Sequence, residues 1–124
     1  MSEINELLLD FIKESRDKFA YNQWLFTPEM KVYVRKAHHL IKGDVLCCLD
    51  IATIEIIPEK RRQGLSKDLL RFALENNEYD ALYIENVQEK EIAQYFFKNN
   101  WGVCGVDYCP CFYKLNQRKK DEYK

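Results

Sequence analysis

One α/β (α+β) domain, with a mixed central β-sheet flanked by helices, is the fold class this sequence predicts. Three observations lead to it. The chain has 124 residues with 47% apolar content, enough for one hydrophobic core and too little for two. Helical periodicity at both ends brackets stretches rich in β-formers. In the middle, a long apolar run, a polar glycine turn, a helical repeat and a second apolar run follow one another, as in a β-α-β crossover. The domain is expected over residues 1 to 116, with residues 117 to 124 as a charged, solvated tail.

Ile4, Leu7, Leu8, Phe11 and Ile12 recur at helical spacing, so residues from about 3 to 18 read as an amphipathic helix with Ser2 as its N-cap. The stretch from Asn22 to Phe26 has no clear period, and Thr27-Pro28 marks a loop. Met30 to Ile41 alternates as a strand, and the turn signal Lys42-Gly43-Asp44 predicts a hairpin. The next strand, Val45 to Ile57, is almost continuously apolar, which suits a central strand covered on both faces. Pro58 ends it, lacking the N–H that a ladder needs.

Leu65, Leu69, Phe72 and Ala73 give a helix over 65 to 76, and Ala81 to Ile84 gives a strand parallel to the central one. Ile92, Ala93, Phe96 and Phe97 mark a helix over about 88 to 99. Trp101 to Val106 and Phe112 to Leu115 close the series as strands, with Asp107 to Pro110 between them.

Composition removes several function classes. The 31% of charged residues nearly cancel to a net charge of −1, so no global field attracts nucleic acid or anionic membrane. No apolar run approaches the ~20 residues of a membrane span, and no basic segment precedes a hydrophobic one near the N-terminus, so a cytoplasmic location is expected. Five cysteines, Cys47, Cys48, Cys104, Cys109 and Cys111, lie in apolar stretches and read as reduced thiols. Cys109-Pro110-Cys111 has the wrong spacing for a zinc site and the adjacent histidines His38 and His39 supply no ligand pattern, so no metal is expected. His38 and His39 read as strand residues near a turn.

The segment that carries chemistry is Arg61-Arg62-Gln63-Gly64-Leu65-Ser66. A pyrophosphate needs several N–H donors pointing into one small volume, and a helix N-terminus supplies them with the positive end of its dipole. Gly64 lets the backbone approach without a Cβ, and Arg61 and Arg62 add charge-assisted bonds. The spacing matches neither the P-loop nor the dinucleotide fingerprint.

Ile54 to Ser66, with Leu69-Leu70 after it, resembles the signature of the GNAT N-acetyltransferases. There a strand ends before a proline, and Gln or Arg, two residues, Gly, one residue and Gly or Ala open a helix. Arg61, Gly64 and Ser66 fall on the defining positions, Ser66 replacing the usual Gly or Ala. Ala93 to Trp101 resembles the family's later helix, with Asn100-Trp101 in place of its Gly-Phe pair. Glu85-Asn86-Val87 and Cys109 to Lys114 also resemble small acetyltransferase-like proteins of bacteriophages.

The resemblance covers about residues 45 to 115 and implies a splayed, V-shaped sheet with acetyl-coenzyme A as co-substrate. Its pantetheine arm would enter between the strand ending at Ile57 and the strand ending near Asn86. Ile54 and Ile56 would offer backbone groups to the arm, Ile57 would lie against the cofactor, and Arg61, Arg62, Gln63, Gly64, Leu65 and Ser66 would hold the pyrophosphate. Asn86 would bond pantetheine or substrate.

Acetyl transfer to an amine needs a base, because a lysine-like acceptor of pKa ~10.4 must first lose a proton. Asp50 and Glu55 are the strand carboxylates available, and either could serve. For the acid that protonates the thiolate, many relatives use a tyrosine where this chain has Phe96. Tyr95 is rotated ~100° from that position, which leaves Tyr108, Tyr113 or an unassisted thiolate. The partners implied are acetyl-coenzyme A and an amine acceptor, small molecule or protein, with oligomeric state left open, a homodimer included. A coenzyme-A-binding regulatory module of phage origin that does not catalyse is the second reading.

Overall fold

The computed structural model describes residues 2–85, 90–106 and 109–116. Its order is α1 (Glu3–Ser15), β1 (Tyr21–Phe26), β2 (Met30–Ile41), β3 (Asp44–Ile56), a 3-10 turn (Pro58–Lys60), α2 (Leu65–Asn76), β4 (Ala81–Ile84), α3 (Lys90–Lys98), β5 (Gly102–Val106) and β6 (Cys109–Leu115). The six strands form one sheet in the order β1-β2-β3-β4-β6-β5. Every neighbouring pair is antiparallel except β3 and β4, which the α2 crossover makes parallel.

Ser2 caps α1, its hydroxyl accepting from the Asn5 N–H at 3.3 Å. The helix stops three residues short of the expected Lys18. The Ser15 hydroxyl turns back onto the Ile12 carbonyl, and Arg16 leaves the helix axis to clasp Glu78 with bonds of 2.8 to 3.0 Å. The stretch without a readable period is strand β1, whose Tyr21, Gln23 and Leu25 pair with Lys36, Val34 and Val32. β6 also begins earlier than expected and contains Pro110. The missing N–H costs no ladder bond, because β4 ends at Ile84 opposite Phe112 and Pro110 lies beyond it.

All three helices pack on one face of the sheet. Leu8, Phe11 and Ile12 of α1, Leu69 and Ala73 of α2 and Phe96 of α3 share a core with Val32, Val34, Leu49, Ile51, Leu82 and Phe112. Each of these side chains other than Ala73, fully buried, contributes ~1.5–3 kcal/mol. The opposite face carries a second cluster drawn from strands alone: Ile41, Cys48, Ala81, Tyr83 and Tyr113. No described helix is long and apolar enough to cross a membrane.

Candidate functional site

β3 and β4 pair only from Cys48↔Ala81 to Ile51↔Ile84, with one further bond from the Glu85 N–H to the Ile51 carbonyl at 3.2 Å. Beyond that point β3 continues to Ile56 and, among the described residues, is bonded to β2 alone. Among those residues the sheet therefore forks. The register against β2 shifts between Tyr33 and Val34, which pair with Thr53 and Ile51 and leave Ala52 as an extra residue.

This bulge changes which backbone groups face the fork. Before it, the Cys47 and Ile51 carbonyls accept from the β4 side. After it, the Ile57 N–H bonds to the Glu29 carbonyl in the β1–β2 loop. By antiparallel alternation, Glu55 and Thr53 then bond toward β2 while Ile54 and Ile56 turn their N–H and C=O groups to the open edge. Of the three isoleucines expected against a cofactor arm, Ile54 and Ile56 turn backbone there, although the Ile56 carbonyl already accepts from Arg61 Nε. Ile57 does not, because its N–H is engaged on the other side.

Past the fork, Pro58 opens the 3-10 turn and the chain reaches α2 through two left-handed residues, Arg62 at φ 64° and Gly64 at φ 81°. Gly64 is the N-cap of α2, and among the described residues no side chain caps the helix. The first intrahelical donor is the Asp68 N–H, 2.9 Å from the Gly64 carbonyl, so the N–H groups of Leu65, Ser66 and Lys67 precede the ladder. A Cβ on Gly64 would meet nothing within 4 Å, which leaves the ground before the helix open. Two loop side chains are partly committed. Arg61 Nε donates to the Ile56 carbonyl at 3.0 Å and Gln63 Nε2 to the Glu59 carbonyl at 3.2 Å.

At the base of the fork, on the face without helices, four ionisable side chains converge. Asp50 has no solvent exposure. Its Oδ2 accepts from Arg35 Nη2 and lies against His39 Nε2, each at 2.8 Å. Arg35 Nη2 also bonds Glu85 Oε1, which stands 3.7 Å from His39 Nε2. The His39 ring stacks on Tyr83 with centroids 3.7 Å apart. Asp50 Oδ1 and Arg35 Nε are buried without a hydrogen-bond partner among the described residues, a condition that costs ~1–3 kcal/mol per group.

Burial sets the charges. It pushes the Asp50 carboxyl above its usual range, although the neighbouring Glu85 carboxyl and the Arg35 cation work the other way. Glu85 is raised too, by burial first and then by the neighbouring Asp50 carboxyl and its charge. Burial lowers His39 and Arg35 lowers it further, against the pull of Glu85, so the imidazole stays neutral. For Arg35 burial opposes charge, but the Asp50 and Glu85 carboxylates outweigh it and hold the guanidinium above its ordinary value. Ligand atoms of His39, Asp50 and Glu85 lie within 4.8 Å of one another, a spacing a metal ion could bridge. The Arg35 guanidinium already supplies the cation between the two carboxylates.

Of the two carboxylates expected from sequence, Asp50 is in this cluster and Glu55 is not. Glu55 projects from the same face farther along the open edge, 57% exposed, with Oε2 3.0 Å from Lys31 Nζ. Phe96 is fully buried between Trp101 and Phe112, with ring centroids at 4.6 and 4.8 Å. Tyr113 is buried over Gly102. Asn86 and Tyr108 lie outside the described residues.

Sequence reading missed Arg35, His39 and Glu85. A signal for two of them was present. Lys42 and Gly43, at φ 50° and 87°, make a two-residue hairpin loop, and counting back from Ile41↔Asp44 puts Arg35 opposite Asp50 with His39 on the same face. No comparable local signal marks Glu85.

No family model matches the chain, and no curated protein does. Among solved structures, the KacTA–DNA complex superposes with a TM-score of 0.55 at 10% identity, over 95% of this chain and 84% of that one. A mutant AtaT toxin bound to the C-terminus of the antitoxin AtaR and acetyl-CoA gives 0.56 at 12% identity, over 99% and 86%. The chain has a GNAT-like fold. In this GNAT-like frame, the fork between β3 and β4 and the loop into α2 are the two parts that the sequence resemblance assigned to acetyl-coenzyme A.

Proposed function

We propose that this chain is an acyl-coenzyme-A-dependent N-acyltransferase that moves acetyl from acetyl-CoA to a primary amine. The observation that carries the reading is the fork. A β3 edge that is open among the described residues, with Ile54 and Ile56 backbone turned to it, leads from the start of α2 to a buried acid–base cluster. The AtaT structure, which contains acetyl-CoA and shares this fold, supports it.

Arg62, Gly64, Leu65 and Ser66 would hold the pyrophosphate through N–H groups and the helix dipole, with Arg61 and Gln63 bracing the loop. The arm would lie along Ile54 and Ile56, bringing the thioester to the base of the fork. There the amine must lose a proton before its nitrogen attacks the thioester carbonyl. The C–N bond forms, the C–S bond breaks and the thiolate departs with the electron pair.

Glu85 is the carboxylate with access, 18% exposed, while Asp50 behind it has none. Glu85 therefore takes the amine proton, and Asp50, Arg35 and neutral His39 hold it in place and tune it. A raised carboxylate pKa narrows the gap to the ammonium and makes the transfer less uphill. Such a protein works in the cytoplasm, where acetyl-CoA is available.

One observation favours the second reading, a coenzyme-A-binding regulatory or inhibitory module of phage origin. Phe96 fills the position where many relatives carry the tyrosine acid, and it is sealed in the core. A paired experiment separates the two. Acetyl-CoA at a hundredfold excess over its dissociation constant should stabilise the protein by ~2.7 kcal/mol, and Gly64→Glu should abolish that gain by blocking and repelling the phosphates. Thiol release with a panel of amines should then fall at least tenfold in Glu85→Gln. Stabilisation with no turnover on any amine supports the regulatory module, and absence of stabilisation defeats both.

A further inference from the structure

Cys104 on β5 and Cys111 on β6 are direct register partners, and both are half-buried on the face without helices. The Asn116 N–H bonds to the Asp80 carbonyl, so by alternation Phe112 and Lys114 bond toward β4 while Cys111 bonds toward β5. Cys104 and Cys111 thus form a hydrogen-bonded pair, with a Cα separation of ~5.5 Å for such pairs. That lies inside the ~4.4–6.8 Å a disulfide requires. Their Cβ atoms, ~4.5–5.5 Å apart in such ladders, must close toward ~3.8 Å, which makes the bond strained and readily reduced.

A third group meets them. The Tyr83 hydroxyl lies 3.1 Å from Cys104 Sγ, and Cys111 packs against the same cluster as Tyr83. The Tyr83 ring stacks on His39, and His39 Nε2 touches Asp50 Oδ2 at 2.8 Å. A continuous path of contacts therefore runs from the cysteine pair to the base of the fork. Cys48 is different: it is fully buried and burial pushes its thiol up to about 12, which keeps it protonated and inert.

We propose that Cys104 and Cys111 are a reversible oxidation site, a cross-strand dithiol that hydrogen peroxide converts to a disulfide and cellular thiols restore. One sulfur, as thiolate, attacks a peroxide oxygen. The O–O bond breaks, one water leaves and a sulfenic acid remains. The partner thiol attacks that sulfur, the S–S bond forms and a second water leaves. The two sulfurs give up two electrons in total and the peroxide takes them. Closing the disulfide removes the Cys104 thiol that the Tyr83 hydroxyl bonds, so Tyr83 carries the change to His39.

The test uses the full chain without acetyl-CoA and stands apart from the acyltransferase reading. Peroxide should lower the intact mass by two hydrogens, dithiothreitol should restore it, and non-reducing peptide mapping should link Cys104 to Cys111. Cys104→Ser and Cys111→Ser should each abolish the mass loss, and Cys48→Ala should keep it. In NMR spectra the His39 ring signals should move on oxidation, while those of His38, on the opposite face against Phe19, should not. A disulfide through any other cysteine, or none at all, overturns the site. Linkage with His39 unmoved overturns the coupling.

Discussion

Arg35 and Asp50 are register partners on β2 and β3, and the Arg35 Nη2 atom lies 2.8 Å from Oδ2 of a carboxylate that solvent does not reach. The pair is asymmetric, because the Arg35 side chain is one-third exposed. Removing the cation strands a buried anion beside Glu85. Removing both charges strands nothing between them.

Arg35→Met is therefore expected to destabilise the fold by ~3 kcal/mol, the lower end for breaking a buried pair, because part of the guanidinium is already solvated. Arg35→Met with Asp50→Leu should recover at least half of that loss. Urea midpoints at neutral pH measure both. Additive losses in the double variant would mean that the pair is not coupled.

Stability should also depend on pH in two opposed windows. Asp50 and Glu85 have raised carboxyl values in the fold, so the folded state binds more protons than the unfolded one. Their contribution is complete below ordinary carboxyl values of ~3.9 and ~4.3 and is lost as pH rises through the raised folded values. His39 is lowered, so its contribution is present above ~6.5 and is lost as pH falls through its folded value. Asp50→Asn should flatten the first slope and His39→Gln the second, read from melting temperature against pH.

Tyr113 lies over Gly102, its register partner on β5, and a Cβ built on Gly102 would enter the ring. Gly102→Ala should cost ~1–3 kcal/mol through overpacking. Gly102→Ala combined with Tyr113→Leu should recover part of this, because a smaller side chain vacates the space. Thermal unfolding distinguishes that outcome from a general intolerance of β5, in which the second substitution would add to the first.

The fold was legible where one element carried its own period. β2 and α2 have the expected bounds, and β3 and β4 agree to within a residue, because alternation or helical repeats run unbroken through them. β1 was not legible: Trp24 and Phe26, exposed apolar residues on the outer face, flank buried Leu25 and erase the alternation. The site divides in the same way. The turn into α2 showed in the sequence because glycine and its neighbours are contiguous. Asp50 showed as a carboxylate in an apolar strand, but its companions depend on register between strands. Glu85 reaches it through a parallel pairing set by how α2 packs, which no local pattern encodes.

The hairpin that aligns Arg35 with Asp50 depends on Lys42 and Gly43, both left-handed, in a two-residue loop. A Cβ on Gly43 would meet nothing within 4 Å, so substituting it tests backbone conformation alone. Gly43→Ala should cost ~1–2 kcal/mol from the positive φ. Lys42→Asn should gain ~0.5–1 kcal/mol, since Asn-Gly suits a turn with both central residues at positive φ. The two shifts should have opposite sign in denaturant midpoints, with the unfolding slope unchanged. A neutral Gly43→Ala would show that the loop is not the tight turn that fixes Ile41 opposite Asp44, and the alignment of Arg35 with Asp50 would then have to come from the buried contacts of Val34 with Ile51 alone.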